Sequence, residues 1–422
     1  MRSLSVTLLA LLVVAPLAAP GTLWTQAQAP AMVETIQVAG PSGPGLQVFL
    51  VTMGPGQHVH ERFGHNAIWL RDTVAGTDRV YNYGMFDFEA PGFVWNFVKA
   101  RGLYRLEAID MPTTVATYNH FQRRTEIQEL ALSTAQKAQL AFLLEQNALP
   151  ENREYRYDYF FDNCSTRIRD ILDVVLGGAL RQGSEGRPAE GTLRWHTQRS
   201  VSNSPGLYLG ILAGLGSRVD APIDQWTEMF LPAKVQERVR ELRVVDDRGL
   251  DVPLVLQEST LLEHNQWSVE ASQPDWSLPL FLIGAVLALV IATGAIRGAA
   301  GIPGRVLVGA WGLLATVGGL VLLFLWLFTN HAMSAWNLNV LLFSPLGFAL
   351  FMLLLIRQKT EWLRTLALCY LGMVLVGAVL GWTGLIQDNG ELAALMLLPS
   401  IAAAWIAIEI NRRRAGAPLP PM

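Results

Sequence analysis

Cysteine is almost missing from this chain: 422 residues hold two, Cys164 and Cys369. The second sits inside a long apolar stretch, which excludes a disulfide between them and any cystine-stapled framework. Charge is scarce as well, at 16% Asp, Glu, Lys and Arg, and the formal net charge of -3 comes without a basic cluster. With no zinc-knuckle spacing either, nucleic-acid binding is set aside. An HExxH pattern, an internal repeat and a low-complexity tract are also wanting, so neither a helix-borne zinc site nor a repeat architecture is in view.

What the chain has is apolar length. Hydrophobic residues make up 51% and the mean hydropathy is +0.30, values that imply a large buried or membrane-embedded fraction. The excess lies in the C-terminal third, in five stretches: Leu278 to Ile296, Val306 to Phe328, Leu338 to Ile356, Leu366 to Ile386 and Leu392 to Ile410. Each is long enough to cross about 30 Å of hydrocarbon as a helix. Arg297 and Arg305 follow the first stretch, Arg357, Lys359 and Arg364 the third, and Arg412, Arg413 and Arg414 the fifth, while the loops after the second and fourth carry no cation. Cationic loops stay cytoplasmic, so five crossings with the C-terminus inside put residues 30–277 outside.

The N-terminus points the same way. Met1-Arg2 precedes an apolar run from Leu4 to Ala19, with small residues at Ala27 and Ala29, the pattern of a secretory signal or, if retained, an N-terminal anchor. The expected organisation is a signal or anchor over 1–29, an exported domain over 30–277, a membrane domain over 278–410 and a cytoplasmic tail over 411–422.

Cys164 is then a free thiol on the outer side of the membrane. It lies in YFFDNCSTRIRD, where Asp162-Asn163 signals a helix start and Ile168, Ile171, Leu172 and Val175 share one face before Gly177-Gly178. A helix N-terminus stabilises a thiolate and can receive an oxyanion. The aromatic run from Tyr155 to Phe161 reads as a strand leading into a turn. A buried, inert cysteine is the plain alternative.

A thiolate nucleophile needs a base, and GQHVHERFGHNAIWL supplies His58, His60 and His65. His65 opens an alternating strand with Ala67 and Trp69 on its face. It is the candidate base; three histidines within eight residues also raise metal binding, although no further ligand stands at a recognised offset. The following strand, RVYNYGMFDF, offers Asn82 as the residue to orient the imidazole, with Asp87 behind it.

FGHNAIWL, VYNYGMFDF, PENREYRYDYFFDNCSTRIRDIL, TLRW and GLGSRVDAPIDQWTEMFLP together resemble the exported domain of the Lnb family of bacterial lipoprotein N-acyltransferases, over most of residues 47–235. The resemblance implies an α+β domain of permuted papain-like type, akin to NlpC and lecithin:retinol acyltransferase folds, in which the histidine strand precedes the cysteine helix, followed by a five-helix transmembrane bundle. Cys164 becomes the nucleophile and His65 the base. His331, Asn337 and Asn339, in the loop before the third stretch, look like a family feature and are candidates for lipid headgroup contact; ordinary loop chemistry with Trp336 at the interface is the competing reading. Arg167 of the DNCSTR block joins them as a substrate-binding candidate.

The implied reaction is acyl transfer from a membrane phospholipid through a Cys164 thioester to the α-amine of a diacylated lipoprotein, without a cofactor, at the outer face of the bacterial inner membrane. Two other classes stay open: a membrane-tethered cysteine amidase or peptidase acting on cell-wall peptide, and a non-enzymatic protein that keeps the fold.

Overall fold

A computed structural model of the protein describes residues 45–87, 89–296, 302–352, 355–356 and 360–413. The N-terminal apolar run and Arg297, Arg357, Lys359 and Arg414 lie outside them. Nine strands form among the described residues: β1 (Leu46–Met53), β2 (His65–Asp72), β3 (Thr77–Met85), β4 (Leu103–Ile109), β5 (Thr125–Leu130), β6 (Glu154–Arg156), β7 (Arg243–Val245), β8 (Asp251–Pro253) and β9 (Val255–Leu262). Seven join one antiparallel sheet in the order β6-β4-β3-β2-β1-β5-β9, and β7 pairs with β8 apart from it.

The helices used below are α1 (Phe93–Val98), α2 (Met111–His120), α3 (Thr134–Ala148), α4 (Cys164–Val175), α5 (Leu193–Val201), α6 (Pro205–Gly214), α7 (Pro232–Glu241), α8 (Ser277–Ile296), α9 (Ile302–Phe328), α10 (Glu361–Thr383) and α11 (Gly390–Arg413). Strand alternation sorts them onto the sheet. Val48, Leu50, Ile68 and Leu70 meet α3, α4 and α7 on one face, while Phe49, Val51, Ala67 and Trp69 meet α2 on the other. A central strand buried on both faces reads as a nearly unbroken apolar run, as LQVFLVTM does. The predicted apolar face of α4, Ile168, Ile171, Leu172 and Val175, is buried in the first of these layers.

Among the described residues four helices, α8, α9, α10 and α11, are long and apolar enough to cross a membrane. The third apolar stretch corrects the expectation of five continuous helices. From Leu338 to Ile356 the described chain forms two short helices, Asn339–Leu342 and Phe348–Phe351, with a 3-10 turn at Pro345–Gly347 between them. Pro345 lacks an N–H and pushes Ser344 out of the helical region; Ser344 is extended there and its hydroxyl accepts from Leu346 N–H at 3.2 Å. The stretch still runs the depth of the bundle. Leu338 N–H donates to Gln387, just before α11, at 2.7 Å, and Thr360 exchanges two hydrogen bonds with Asn411 near the end of α11.

Such a break is tolerated at membrane depth only where protein covers it. The cover is α9, whose Gly319 lies so close that a β-carbon there would stand 1.9 Å from the Phe343 carbonyl oxygen. Inside the bundle, Trp311, Tyr370 and Ser400 satisfy one another's polar groups, at 3.1 Å, 3.2 Å and 2.8 Å.

The exported domain is joined to the outer end of the bundle through α6. Its Leu212 and Ala213 carbonyls accept from the Asn339 amide, and Ala213 also from Asn337 at 2.7 Å. Tyr208 donates to Glu391, at the start of α11, at 2.7 Å. Val201, Tyr208 and Leu212 are buried in the same cluster as the membrane helices.

Gly319→Leu should therefore displace the broken crossing. Overpacking of this kind costs about 2 kcal/mol or more, so the variant in detergent should melt at a lower temperature than the parent, or fail to accumulate, while Gly206→Leu, whose β-carbon would meet open space, should not.

Candidate active site

β2 and β3 are antiparallel with Ile68 opposite Tyr81. Carrying that register on by one residue sets Asn82 opposite Ala67, hence diagonal to His65 on the same face. The side chains meet: His65 Nε2 lies 3.3 Å from Asn82 Oδ1. Asn82 Nδ2 donates to the Val80 carbonyl at 3.1 Å, which fixes the amide's orientation and makes His65 Nε2 the donor. Nδ1 is the nitrogen left for another partner. The ring lies nearly parallel to that of Tyr118 on α2, 6.4 Å between centroids.

Cys164 is the first residue of α4 and Asn163 its N-cap. Asn163 Oδ1 accepts from Ser165 and Thr166 N–H at 2.8 Å and 2.9 Å, and Asn163 N–H donates to Thr166 Oγ1. Its Nδ2 donates to the carbonyls of Tyr159 and Phe230. Asp162 pairs with Arg167. The DNCSTR block is thus a helix cap with every member occupied, and it leaves Cys164 at the positive end of the helix dipole with a first-turn N–H that has no intrahelical acceptor.

Burial pushes the Cys164 thiol up, but the charge and hydrogen bond of His65, the Asn66 N–H and the Ser165 hydroxyl outweigh it and bring the thiol down to about 7. A thiol in that range beside an imidazole has the properties that nucleophilic chemistry at neutral pH requires. A second group faces the same spot. Tyr155 is buried, and its hydroxyl has no partner among the described residues. A β-carbon on Gly84 would lie 3.6 Å from Cys164 Cβ and 3.7 Å from Tyr155 Oη, so the glycine keeps a small space open between thiol and phenol. Burial holds the Tyr155 hydroxyl protonated far above the ordinary range, and the Arg167 guanidinium lies over its ring at 4.1 Å.

Cys164, His65, Asn82 and Arg167 thus converge. Asp87 does not; it is exposed and caps a turn by accepting from Glu89 N–H. Asn337 and Asn339, the candidates for headgroup contact, are both buried, and their amides close the joint with α6. His331 donates from Nε2 to the Val98 carbonyl at the end of α1, at 3.1 Å. His58 and His60 stack on each other, 5.8 Å between centroids, and among the described residues no group of three or more His, Cys, Asp or Glu is arranged to hold a metal ion. Sequence reasoning did not single out Tyr155 within an aromatic run; the alternation of Tyr155, Tyr157 and Tyr159 is the signal, since it aims alternate hydroxyls to one side.

A cysteine–histidine–asparagine cluster in an extracytoplasmic α/β domain, carried on a set of apolar membrane helices, defines the class of protein. Its residues 42–202 match the Lnb N-terminal periplasmic domain and residues 271–413 the Lnb transmembrane domain, and the chain belongs to the Lnb family. Searches of curated proteins and of solved structures gave no match.

Alkylation of Cys164 by iodoacetamide, followed on its own peptide so that Cys369 does not contribute, should rise with pH and level off above about 7. His65→Ala removes the largest of the interactions that lower the thiol and leaves the burial that raises it. The midpoint should move up into or above the ordinary thiol range; an unchanged midpoint would show that His65 does not act on the thiol.

Proposed function

We propose that this protein is a lipoprotein N-acyltransferase of the bacterial inner membrane, with Cys164 as nucleophile, His65 as general base and acid, and Asn82 as the residue that orients His65. The observation that carries the reading is the placement of Cys164 as the first residue of α4, with the His65–Asn82 pair acting on its thiol, in a domain fastened to membrane helices. Membership of the Lnb family supports the lipoprotein N-acyltransferase role. The order of elements, with histidine strand before cysteine helix, supports a permuted papain-like fold over residues 30–277, ahead of the membrane domain over 278–410 and the cytoplasmic tail over 411–422.

In the first half-reaction the Cys164 thiolate attacks an ester carbonyl of a phospholipid. The carbonyl oxygen takes up negative charge in the space beside Gly84, where the α4 N-terminus and the Tyr155 hydroxyl can donate to it. As the C–O bond breaks, His65 gives its proton to the departing lyso-lipid alkoxide, leaving an acyl thioester. In the second, the α-amine of a diacylated lipoprotein attacks the thioester. The C–S bond breaks, the amine's proton passes to His65, and the amide is released with the thiolate restored. Arg167 supports Tyr155 from beneath and, with about a third of its side chain exposed, offers a cation for a phosphate of the donor.

With phospholipid and no amine acceptor, the peptide carrying Cys164 should gain the mass of one fatty acyl chain, removable by hydroxylamine. Adding a diacylated lipopeptide with a free N-terminus should discharge it; an N-acetylated one should not. Rapid loss to water without an acceptor would favour a hydrolase, and cleavage of cell-wall peptide with no adduct the amidase alternative.

Tyr155→Phe should slow acylation roughly a hundredfold if the phenol serves the oxyanion, and should leave the pH midpoint of Cys164 alkylation in place. A shifted midpoint with unchanged acylation would assign Tyr155 to the ground state instead.

A further inference from the structure

Helix α1 has a composition that water does not favour. Val94 is 71% exposed, Trp95 56% and Phe97 47%, and Leu103, where β4 begins, is 57% exposed. An exported domain that presents a contiguous apolar patch is offering it to something apolar. The end of α1 is fixed to the membrane domain by two hydrogen bonds, Asn330 N–H to the Lys99 carbonyl at 3.0 Å and His331 Nε2–H to the Val98 carbonyl at 3.1 Å. Those donors directly follow α9, whose last residue, Phe328, is 68% exposed at the end of a span long and apolar enough to cross the bilayer. Lys99 lies with its ammonium 4.4 Å from the centre of the Trp95 ring, an aromatic-cation pair of the kind found where hydrocarbon gives way to headgroups.

From this helix a row of aromatic rings leads inward. Phe97 stacks on Phe93 at 6.3 Å, Phe93 on Phe86 at 5.7 Å, Phe86 meets Tyr104 at 5.0 Å, and Tyr104 stacks on Tyr157 at 4.2 Å. Tyr157 ends the row at the nucleophile: its ring and Cys164 Cβ both border the space beside Gly84, at 3.8 Å and 3.6 Å from where a β-carbon would be.

We propose that α1 lies in the outer leaflet and that this row is the surface along which one fatty acyl chain of a membrane lipid reaches Cys164. The leaflet contact stands on geometry alone, whereas the acyl chain as occupant rests on the acyltransferase reading above. Aromatic faces suit a polymethylene chain, since they give area without demanding a hydrogen bond. The pinned end of α1 fixes the entrance at the level of the ester groups. The phospholipid donor therefore presents its carbonyl to Cys164 without leaving the bilayer entirely.

The test uses the full chain in vesicles of phosphatidylethanolamine and phosphatidylglycerol. Phe97→p-benzoylphenylalanine should cross-link to lipid acyl chains on irradiation, and the same replacement at Val245, 62% exposed on the β7–β8 hairpin, should not. No excess of lipid adduct at position 97 overturns the leaflet contact. For the row, Cys164 acylation is compared between a phosphatidylethanolamine carrying palmitoyl chains and one carrying acetyl groups. Phe93→Ala, and the surface variant Phe97→Ser in case the first misfolds, should lower the palmitoyl-to-acetyl ratio about tenfold, the effect of losing roughly one aromatic contact with the chain. An unchanged ratio in Phe97→Ser, or an equal fall for both donors, overturns the row as an acyl path. If the parent takes up no acyl group from either donor, the acyltransferase reading and the acyl path fail together, while the cross-link still decides the leaflet contact.

Discussion

The carboxamide of Asn163 holds the site in place. Its oxygen closes two of the free N–H groups at the start of α4, and its nitrogen reaches the carbonyls of Tyr159 and Phe230. One side chain therefore fixes the helix start, the aromatic turn before it and a distant segment of the domain. Phe230 belongs to a small cluster with Phe160, Leu193 and Val219, against which Met333 of the membrane domain also packs. The position of Cys164 is linked by this route to the outer end of the membrane helices. A cap of this kind contributes about 1 kcal/mol to a helix; here its larger effect is geometric, because it determines where the sulfur stands.

Much of the cysteine–histidine core was legible in the sequence because it depends on local signals. Asp162-Asn163 ahead of an apolar face marks a helix start, and the alternation from His65 marks a strand; each signal spans a few residues and needs no tertiary knowledge. Asn82 was legible by a longer step, since strand pairing must bring it diagonal to His65. Tyr155 was not, because a tyrosine in an aromatic strand looks the same whether its hydroxyl is paired or orphaned, and only burial distinguishes the two. Asn337 and Asn339 show the converse. Polar residues at the outer membrane edge invite a ligand on paper, but their partners are backbone carbonyls of α6, a helix more than a hundred residues earlier.

The third apolar stretch escaped for a different reason. Hydropathy measures whether a segment tolerates hydrocarbon, and Leu338 to Ile356 does; it does not measure whether the backbone satisfies itself. Ser344-Pro345 was the visible warning. The polarity of the arginine loops and the depth of the crossing agree regardless, as the contacts of Leu338 and Thr360 with opposite ends of α11 demand.

That broken crossing has a consequence for how the protein is made. A continuous apolar helix can leave the translocation channel alone, since its peptide groups are already paired. The segment from Leu338 to Ile356 is interrupted at Ser344-Pro345, and the break is covered only when the glycine face of α9 lies against it. Leu338 at its start takes a partner from Gln387, and Thr360 just beyond its end takes one from Asn411, both synthesised later. Biogenesis of the membrane domain is thus not strictly sequential: the third crossing completes its insertion only after α10 and α11 have emerged, and a chain truncated before Gln387 would leave a stretch of hydrophobic sequence with no stable place in the bilayer.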